Sequence, residues 1–196
     1  WEAGVRFAAA YPGTPSTEIL EYCGTYAEID AQWAVNEKTA METVIGACYG
    51  GARSICAQKH VGLNVAADPF VNSAITGANG GIVILVADDP SMHSSQDEQD
   101  TRFYGKFAMI PTFEPSNQQE AYDMMAVAYD YSEKMHLPVL MRVTTRMAHS
   151  RAVVNITETP REQNPLNYEA KASDWVLLPA FARKRNVVVT GQQAQL

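Results

Sequence analysis

Apolar and polar positions alternate along this chain with two different periods. Six apolar runs are short and are bounded by glycine, proline or polar residues, which predicts β-strands. They cover residues 6–10, 31–35, 54–58, 82–87, 112–114 and 139–144. Segments with helical periodicity separate them, an order that is typical of parallel βαβ units. The pattern therefore predicts an α/β fold with three α/β/α layers around one mainly parallel six-stranded sheet.

Local signals predict four helices between these strands. The first is suited to capping by Ser16 or Thr14, and the second by Asn36. The first two helices end at about residues 22 and 50. The third runs from about 62 to 76, and the fourth from 118 to 135. After Arg151 the periodicity fades into polar residues and prolines. We therefore predict one domain over 1–151 and a connector or tail over 152–196.

Composition narrows the class of protein. A chain of 196 residues with 46% apolar and 19% charged residues is long enough for one sizeable core. Its net charge of −7 argues against a nucleic-acid interface, and the basic cluster at 183–185 is predicted to be a solvated face or tail. No apolar run approaches the length of about 20 residues that spans a bilayer, so we expect no membrane contact and a cytoplasmic setting.

The three cysteines are Cys23, Cys48 and Cys56, and none of them forms a C-x-x-C pair. We therefore predict no zinc site, redox pair or iron–sulfur cluster within the chain, and expect small buried thiols in a reducing compartment. The chain begins at Trp1 rather than at methionine, within WEAGVRF, which is typical of a helix end followed by a strand. We expect it to continue a longer protein.

The candidate chemistry lies in the segments that follow the predicted strands. Ligands of an open parallel sheet bind beyond the carboxyl ends of its strands. These segments read YPGTPSTE, VNEKTA, QKHVGLN and DDPSMHSSQDEQD. They contain the candidate residues Thr14, Glu37, His60, Asn64, His93, Ser94 and Ser95. We expect these side chains to converge on one edge of the sheet.

Two interpretations of Glu37 remain open at this point. Its place at the start of a predicted helix suits a carboxylate that simply favours the positive end of the helix dipole. It also suits a partly buried carboxyl that shares a proton with a heterocycle nitrogen of a ligand. Position alone does not choose between the structural and the functional interpretation.

Several other site chemistries do not fit the sequence. A Ser-His hydrolase is excluded because no G-x-S-x-G elbow is present. Asp97, Glu98 and Asp100 lack the spacing of a calcium loop, and His60 and His93 are far apart, so no metal site is predicted. Each histidine taken alone fits a surface or core position.

The chain also lacks a phosphate cradle. Neither G-x-G-x-x-G nor G-x-x-x-x-G-K-[ST] follows any predicted strand, so a bound ligand is not held here by its phosphates. The Pro-Gly-Thr-Pro turn is instead stiff, and we expect it to aim the hydroxyl and amide of Thr14 into the cleft.

Several long strings, in order, carry a family resemblance. They are AYPGTPSTEIL, WAVNEKTAMETVIGACYGGAR, KHVGLNVAADPF, GGIVILVADDPSMHSSQDEQDTRFY, EPSNQQEAYDMM and PVLMRVTTRMAHSR. Together they resemble the amino-terminal domain of the large (alpha) subunit of indolepyruvate ferredoxin oxidoreductases, which belong to the thiamine-diphosphate-dependent 2-oxoacid:ferredoxin oxidoreductases. The resemblance implies a thiamine-diphosphate-binding fold of the pyrimidine-binding type over 1–151.

The resemblance also implies roles for single residues. Glu37 in VNEK matches the family's glutamate, which hydrogen-bonds N1′ of the aminopyrimidine and so promotes removal of the thiazolium C2 proton. Thr14 matches a threonine that contacts substrate or cofactor, and Asn64 is expected to contribute to cofactor binding. The reaction implied is oxidative decarboxylation of an arylpyruvate to an acyl-coenzyme A, with electrons passing through iron–sulfur clusters to ferredoxin.

One departure from the family concerns the substrate carboxylate. Related pyruvate:ferredoxin oxidoreductases carry an arginine for it where this chain has Asp-Asp-Pro at 88–90. An aspartate cannot pair with a carboxylate, so we expect His60, His93 or the hydroxyls of Ser94 and Ser95 to serve instead. We also predict that both histidines face the substrate side of the cofactor and act in catalysis.

The family's G-D-G magnesium motif and C-x-x-C-x-x-C segment do not occur in the 196 residues. We therefore expect magnesium, the clusters and the diphosphate site to lie on other parts of the enzyme. The partners implied are a diphosphate-binding domain of the same or another subunit, a small (beta) subunit, ferredoxin and coenzyme A, in an oligomer. Two alternatives remain: a related thiamine-diphosphate oxidoreductase or decarboxylase for another 2-oxoacid, and a non-catalytic domain of the same fold.

Overall fold

A computed structural model describes residues 1–157, 166 and 172–196 of the chain. Its strands are β1 (Phe7–Ala10), β2 (Asp30–Trp33), β3 (Ser54–Lys59), β4 (Ile82–Asp88), β5 (Thr112–Phe113) and β6 (Val139–Thr144). Its helices are α1 (Thr17–Cys23), α2 (Glu37–Tyr49), α3 (His60–Val65), α4 (Ala67–Thr76), α5 (Arg102–Ala108), α6 (Gln118–Met135), α7 (Thr145–His149) and α8 (Pro179–Gln192).

The six strands form one sheet in the order β2-β1-β3-β4-β6-β5. Every neighbouring pair is parallel. This confirms the predicted α/β fold with a parallel six-stranded sheet. The strand order reverses direction between β1 and β3, so the segments that follow these two strands flank a topological switch point, where ligands of such sheets bind.

Alternation along the strands assigns side chains to the two faces of the sheet. Cys56 packs with α2 and α4 on what we call the front face. Ala57 packs with α1 and α6 on what we call the back face. Because successive side chains of a strand point to opposite faces, the last two residues of β3 separate, with Gln58 on the front face and Lys59 on the back face.

Of the two predicted caps, the one at Asn36 is confirmed and the one at Ser16 or Thr14 is not. The Asn36 side chain accepts a hydrogen bond of 2.9 Å from the Thr39 amide and so caps α2. Helix α6 has the bounds that its helical periodicity predicts. Ser16 is the N-cap residue of α1, but its hydroxyl donates to the Gly13 carbonyl instead of capping the helix.

The predicted helix over 62–76 is wrong as one continuous element. Helix α3 ends at Val65 and α4 begins at Ala67. The physical reason is Pro69, which lacks the amide that would donate to the Val65 carbonyl and whose ring would clash with that carbonyl. The chain restarts instead, with Pro69 in the first turn of α4, where no such bond is needed.

The sequence does not predict α5, α7 or α8. Helix α8 packs against α4, and Val189 is its buried residue. Arg185 of this helix donates to the Thr76 carbonyl and lies over the Trp175 ring, so one member of the basic cluster is not simply solvated. Part of the predicted connector, including Pro160 and Pro165, lies outside the described residues.

Cys48 and Cys56 are buried free thiols, as predicted, and Cys23 is partly buried. Within the described ranges, no group of three or more His, Cys, Asp or Glu side chains is arranged to hold a metal ion. None of the helices described is both long and apolar enough to cross a membrane.

Candidate active site

The predicted site residues fall into two groups at the carboxyl edge of the sheet. Glu37 contacts the backbone of α3 at Gly62. Thr14, His93 and Ser94 line one cavity together. The long segment after β4 connects with both groups, since it carries Ser94 and also contacts His60.

Glu37 is the first residue of α2 and is half-buried. A Cβ atom added to Gly62 would lie 2.7 Å from both Cγ and Oε1 of Glu37, so the glutamate side chain lies directly on the α3 backbone. Burial raises the pKa of the neighbouring Cys56 thiol to about 12, and the Glu37 charge adds to this shift. No described residue donates a hydrogen bond to the Glu37 carboxylate, so its oxygens are free for a ligand.

The contact with Gly62 yields a stability prediction. We expect Gly62→Ala to lower the free energy of unfolding by about 1–3 kcal/mol, because the new methyl overlaps the Glu37 side chain. Alanine's better helix propensity, about 1 kcal/mol, offsets only part of this. Urea denaturation of the variant and the wild type measures the difference.

Gly46→Ala in α2 is the matched control, because a Cβ atom there meets no atom of the described residues within 4 Å. We expect it to raise the free energy of unfolding by up to about 1 kcal/mol. Equal stabilisation by both substitutions would mean that Gly62 does not hold the Glu37 side chain in place.

His60 begins α3 and is fully buried. Its Nε2 atom lies 3.2 Å from the carbonyl oxygen and 3.3 Å from Oδ1 of Asp97. Its Nδ1 atom, and both amide atoms of the buried Gln58, have no hydrogen-bond partner within the described part of the chain. Buried polar atoms without partners are rare and call for an explanation, and a ligand or a bound water would satisfy them.

The two serines that follow His93 are tied to Asp89. This buried carboxylate accepts hydrogen bonds from the Ser94 amide at 2.7 Å and the Ser95 hydroxyl at 2.6 Å. It also accepts from the Thr145 hydroxyl at 2.7 Å. Burial by itself raises the pKa of Asp89, but these hydrogen bonds outweigh burial and hold the pKa well below its ordinary value.

Asp88 is also bonded within the protein, through its Oδ2 atom, while its Oδ1 atom has no hydrogen-bond partner among the described residues. It is fully buried, and its Oδ2 atom lies 2.6 Å from Nε of Arg142. The same guanidinium donates to Glu114, and the Thr101 amide donates to Asp88 at 3.1 Å. Asp88 and Asp89 are therefore internal ligands of the fold and are buried away from a substrate.

Asn64 and Thr14 are both exposed at this edge. The Asn64 side chain accepts a hydrogen bond from the Tyr104 hydroxyl of α5. Thr14 lies in a compact turn, in which the Gly13 amide donates to the Thr17 hydroxyl and the Gly13 carbonyl accepts from the Ser16 amide. Its peptide bond to Pro15 is cis.

Sequence reasoning did not single out Gly62, Gln58, Lys59, Arg146 and His149 among the residues at this edge. The first three lie within QKHVGLN, which the sequence already marks as a post-strand segment. A signal was present there, because two polar residues end a strand that is buried along its whole length. The last two lie on α7, which no sequence pattern predicted.

Known proteins resemble this chain in sequence. Residues 1–194 match a family described as "Pyruvate flavodoxin/ferredoxin oxidoreductase, thiamine diP-bdg". The indolepyruvate oxidoreductase subunit IorA of Archaeoglobus fulgidus is 45% identical over 191 residues, which cover 93% of this chain and 31% of the relative. The 2-oxoglutarate synthase subunit KorA of Methanocaldococcus jannaschii is 28% identical over 213 residues, which cover 97% of this chain and 57% of the relative. The chain thus spans about a third of the IorA length.

Solved structures share the fold. A 2-oxoglutarate:ferredoxin oxidoreductase from Magnetococcus marinus superimposes with a TM-score of 0.72 at 16% identity, covering 99% of this chain and 42% of that chain. A thiamine diphosphate-dependent 4-hydroxybenzoylformate decarboxylase of Rhodococcus jostii RHA1 gives a TM-score of 0.64 at 14% identity. The match covers 79% of this chain and 30% of that chain. At such identities the likeness concerns the fold alone.

Proposed function

Because the chain belongs to the thiamine-diphosphate-binding family of pyruvate flavodoxin/ferredoxin oxidoreductases, we propose that it forms the pyrimidine-binding half of an indolepyruvate ferredoxin oxidoreductase active site. The reaction is the oxidative decarboxylation of an arylpyruvate to an acyl-coenzyme A, with electrons passed to ferredoxin. The observation that carries the proposal is the half-buried Glu37 carboxylate, which lies against the α3 backbone without a hydrogen-bond partner among the described residues.

The residues at this edge fit the cofactor's aminopyrimidine. A carboxyl group that is held in place and lacks a partner can share a proton with the ring nitrogen N1′. Thiamine diphosphate, when bound, supplies the carbon nucleophile that the decarboxylation requires. Glu37 holds the shared proton at N1′, and the contact with Gly62 keeps its carboxyl from turning away. Thr14 and Asn64, both exposed at the same edge, complete the contacts to the cofactor.

His60 and His93 are the proposed catalytic residues on the substrate side. The Nδ1 atom of the buried His60 has no hydrogen-bond partner among the described residues, and the exposed His93 lines the same cavity as Thr14. Ser94 and Ser95 keep their proposed place beside the substrate. Their bonds to Asp89 already use the Ser94 amide and the Ser95 hydroxyl proton.

The other half of the site belongs to partners. Apolar side chains near the carboxyl edge are exposed, namely Trp33, Val35, Val65, Phe103 and Phe107. Exposed apolar groups of this kind are typical of a surface that another domain covers. We assign that surface to a diphosphate-binding domain, which would bring the magnesium. A small (beta) subunit, ferredoxin and coenzyme A complete the oligomeric, cytoplasmic enzyme, whose iron–sulfur clusters lie outside this chain.

The proposal is tested on the complete protein with its partner subunits. We expect viologen reduction that requires coenzyme A and thiamine diphosphate, with kcat/KM for indolepyruvate or phenylpyruvate at least 10 times that for pyruvate and 2-oxoglutarate. A preference for 2-oxoglutarate would instead favour the function named for the KorA relatives. Absence of turnover with all four 2-oxoacids would support a non-catalytic domain.

A further inference from the structure

Five buried side-chain polar atoms lack a hydrogen-bond partner among the described residues, and they are not scattered through the molecule. They are both amide atoms of Gln58, Nδ1 of His60, Oδ1 of Asp88 and Oγ1 of Thr101. We call these four residues the Gln58 cluster, and each of them is 0% exposed. A buried polar group that bonds to nothing is costly, so native proteins contain few of them. Five such atoms at one edge of the sheet therefore indicate a common ligand.

The strand register brings the Gln58 cluster together on the front face. Asp88 lies two residues beyond the β4 partner of Gln58, and both side chains point to this face by alternation. His60 follows the last residue of β3 and so lies beside Asp88. The Thr101 amide donates to the other oxygen of the Asp88 carboxylate at 3.1 Å. The five atoms thus lie between β3, the start of α3, the end of β4 and the residue before α5.

Asp97 decides how the imidazole in this cluster is protonated. The two atoms that face Nε2 of His60 are the carbonyl oxygen of Asp97 at 3.2 Å and its Oδ1 at 3.3 Å. Both are acceptors, so the proton of the neutral ring lies on Nε2. The other ring nitrogen, Nδ1, is then an acceptor with a free lone pair.

The mixture of donors and acceptors selects the ligand. The Gln58 amide nitrogen donates, Asp88 Oδ1 and His60 Nδ1 accept, and the Thr101 hydroxyl can do either. An anion would be repelled by the Asp88 carboxylate. A cation would meet the Arg142 guanidinium, whose Nε lies 2.6 Å from the same carboxylate. Water is neutral and both donates and accepts, so it fits all five atoms.

We propose that the Gln58 cluster binds buried water, which bridges the sheet to α3 and to the segment that precedes α5. A buried water molecule makes about three hydrogen bonds, so five atoms require about two molecules. This inference goes beyond the proposed function and does not depend on turnover. It also concerns the site, because the water holds the first turn of α3, and Gly62 in this helix carries the Glu37 side chain.

A crystal structure of the complete protein, at a resolution that shows ordered water, tests the proposal directly. We expect water density within about 2.7–3.2 Å of polar atoms from at least two residues of the Gln58 cluster. Direct hydrogen bonds from the Gln58 amide to His60 or Asp88, with no water density between them, would contradict the proposal.

The sign of a stability change tests it independently. Thr101→Val keeps the shape of the side chain and removes only the hydroxyl, which makes no cap hydrogen bond to α5. If water bonds to this hydroxyl, we expect the urea midpoint of this domain to fall by about 0.3–1 M, since a bonded partner is lost. If the hydroxyl has no partner at all, valine removes a buried unsatisfied group and the midpoint rises.

Pulse-labelling hydrogen exchange of β3 and β4 peptides gives this midpoint within the complete protein. Thr144→Val is the matched control, because Thr144 is likewise an N-cap residue without a side-chain cap bond but is partly exposed to solvent. Its midpoint should stay unchanged. A midpoint that rises or stays the same in Thr101→Val would overturn the proposal. An equal fall in both variants would attribute the loss to valine itself and would also count against bound water.

Discussion

Glu37→Gln is expected to lower turnover of the complete enzyme with indolepyruvate by about 10²- to 10⁴-fold, the range that loss of a positioned acid–base group produces. The amide has nearly the same shape as the carboxyl and keeps the contact with Gly62, but it cannot share a proton with the ring nitrogen. Steady-state viologen reduction measures the loss. Exchange of the thiazolium C2 proton with deuterium, followed by NMR after acid quench, should slow in parallel while the cofactor still binds.

Glu42→Gln provides the matched control for this prediction. It removes one carboxylate from the same helix, at an exposed position whose salt bridge to Lys38 is 3.8 Å long. We expect turnover within about 2-fold of wild type, because exposed i,i+4 pairs contribute only about 0.3–0.5 kcal/mol. A Glu37→Gln enzyme that keeps more than a tenth of wild-type turnover and exchange would refute the role assigned to Glu37.

Arg142→Met is expected to lower the free energy of unfolding by about 3–5 kcal/mol, as removal of one partner from a buried ion pair does. The Arg142 side chain is 8% exposed, and its partner Asp88 is fully buried. Without the guanidinium, the buried Asp88 carboxyl would keep only the Thr101 amide as a donor among the described groups. Urea denaturation followed by circular dichroism measures the change.

Two further variants show whether the loss of stability comes from the unpaired Asp88 carboxyl. Adding Asp88→Leu to Arg142→Met removes the buried carboxylate and should recover part of the lost stability. Arg102→Met is the surface control, since Arg102 is 55% exposed where it pairs with Asp100, and it should cost no more than about 1 kcal/mol. A loss below 1 kcal/mol for Arg142→Met would mean that the pair does not stabilise this edge.

Prediction from sequence succeeded where the signal was local. The bounds of β6 and α6 agree with their apolar periodicity, and the Asn36 cap was readable from a single residue type at a helix start. It failed where a tertiary contact decides whether a helix forms. Helix α8 has one buried residue, Val189, and it depends on packing against α4 rather than on an apolar stripe of its own.

The candidate site divides in the same way. The sequence places Thr14, Glu37, His60 and His93 after consecutive strands, and a parallel sheet necessarily brings such positions to one edge. The sequence could not reveal which side chains already have partners. Ser95 donates to Asp89, whereas no described residue donates to the Glu37 carboxylate.

By itself, the sequence determined the six strands, the helices α1, α2 and α6, the parallel sheet and the edge at which chemistry is possible, because these follow from periodicity and turn residues close together in the chain. Only the tertiary structure decided what meets there. Asp88 and Arg142 are 54 residues apart, and Lys59 and Ser94 are 35 apart. Strand order and the alternation of side chains between faces bring such pairs together. Among the described residues, these contacts leave the Glu37 carboxylate without a hydrogen-bond donor and the buried Lys59 ammonium without an ion pair.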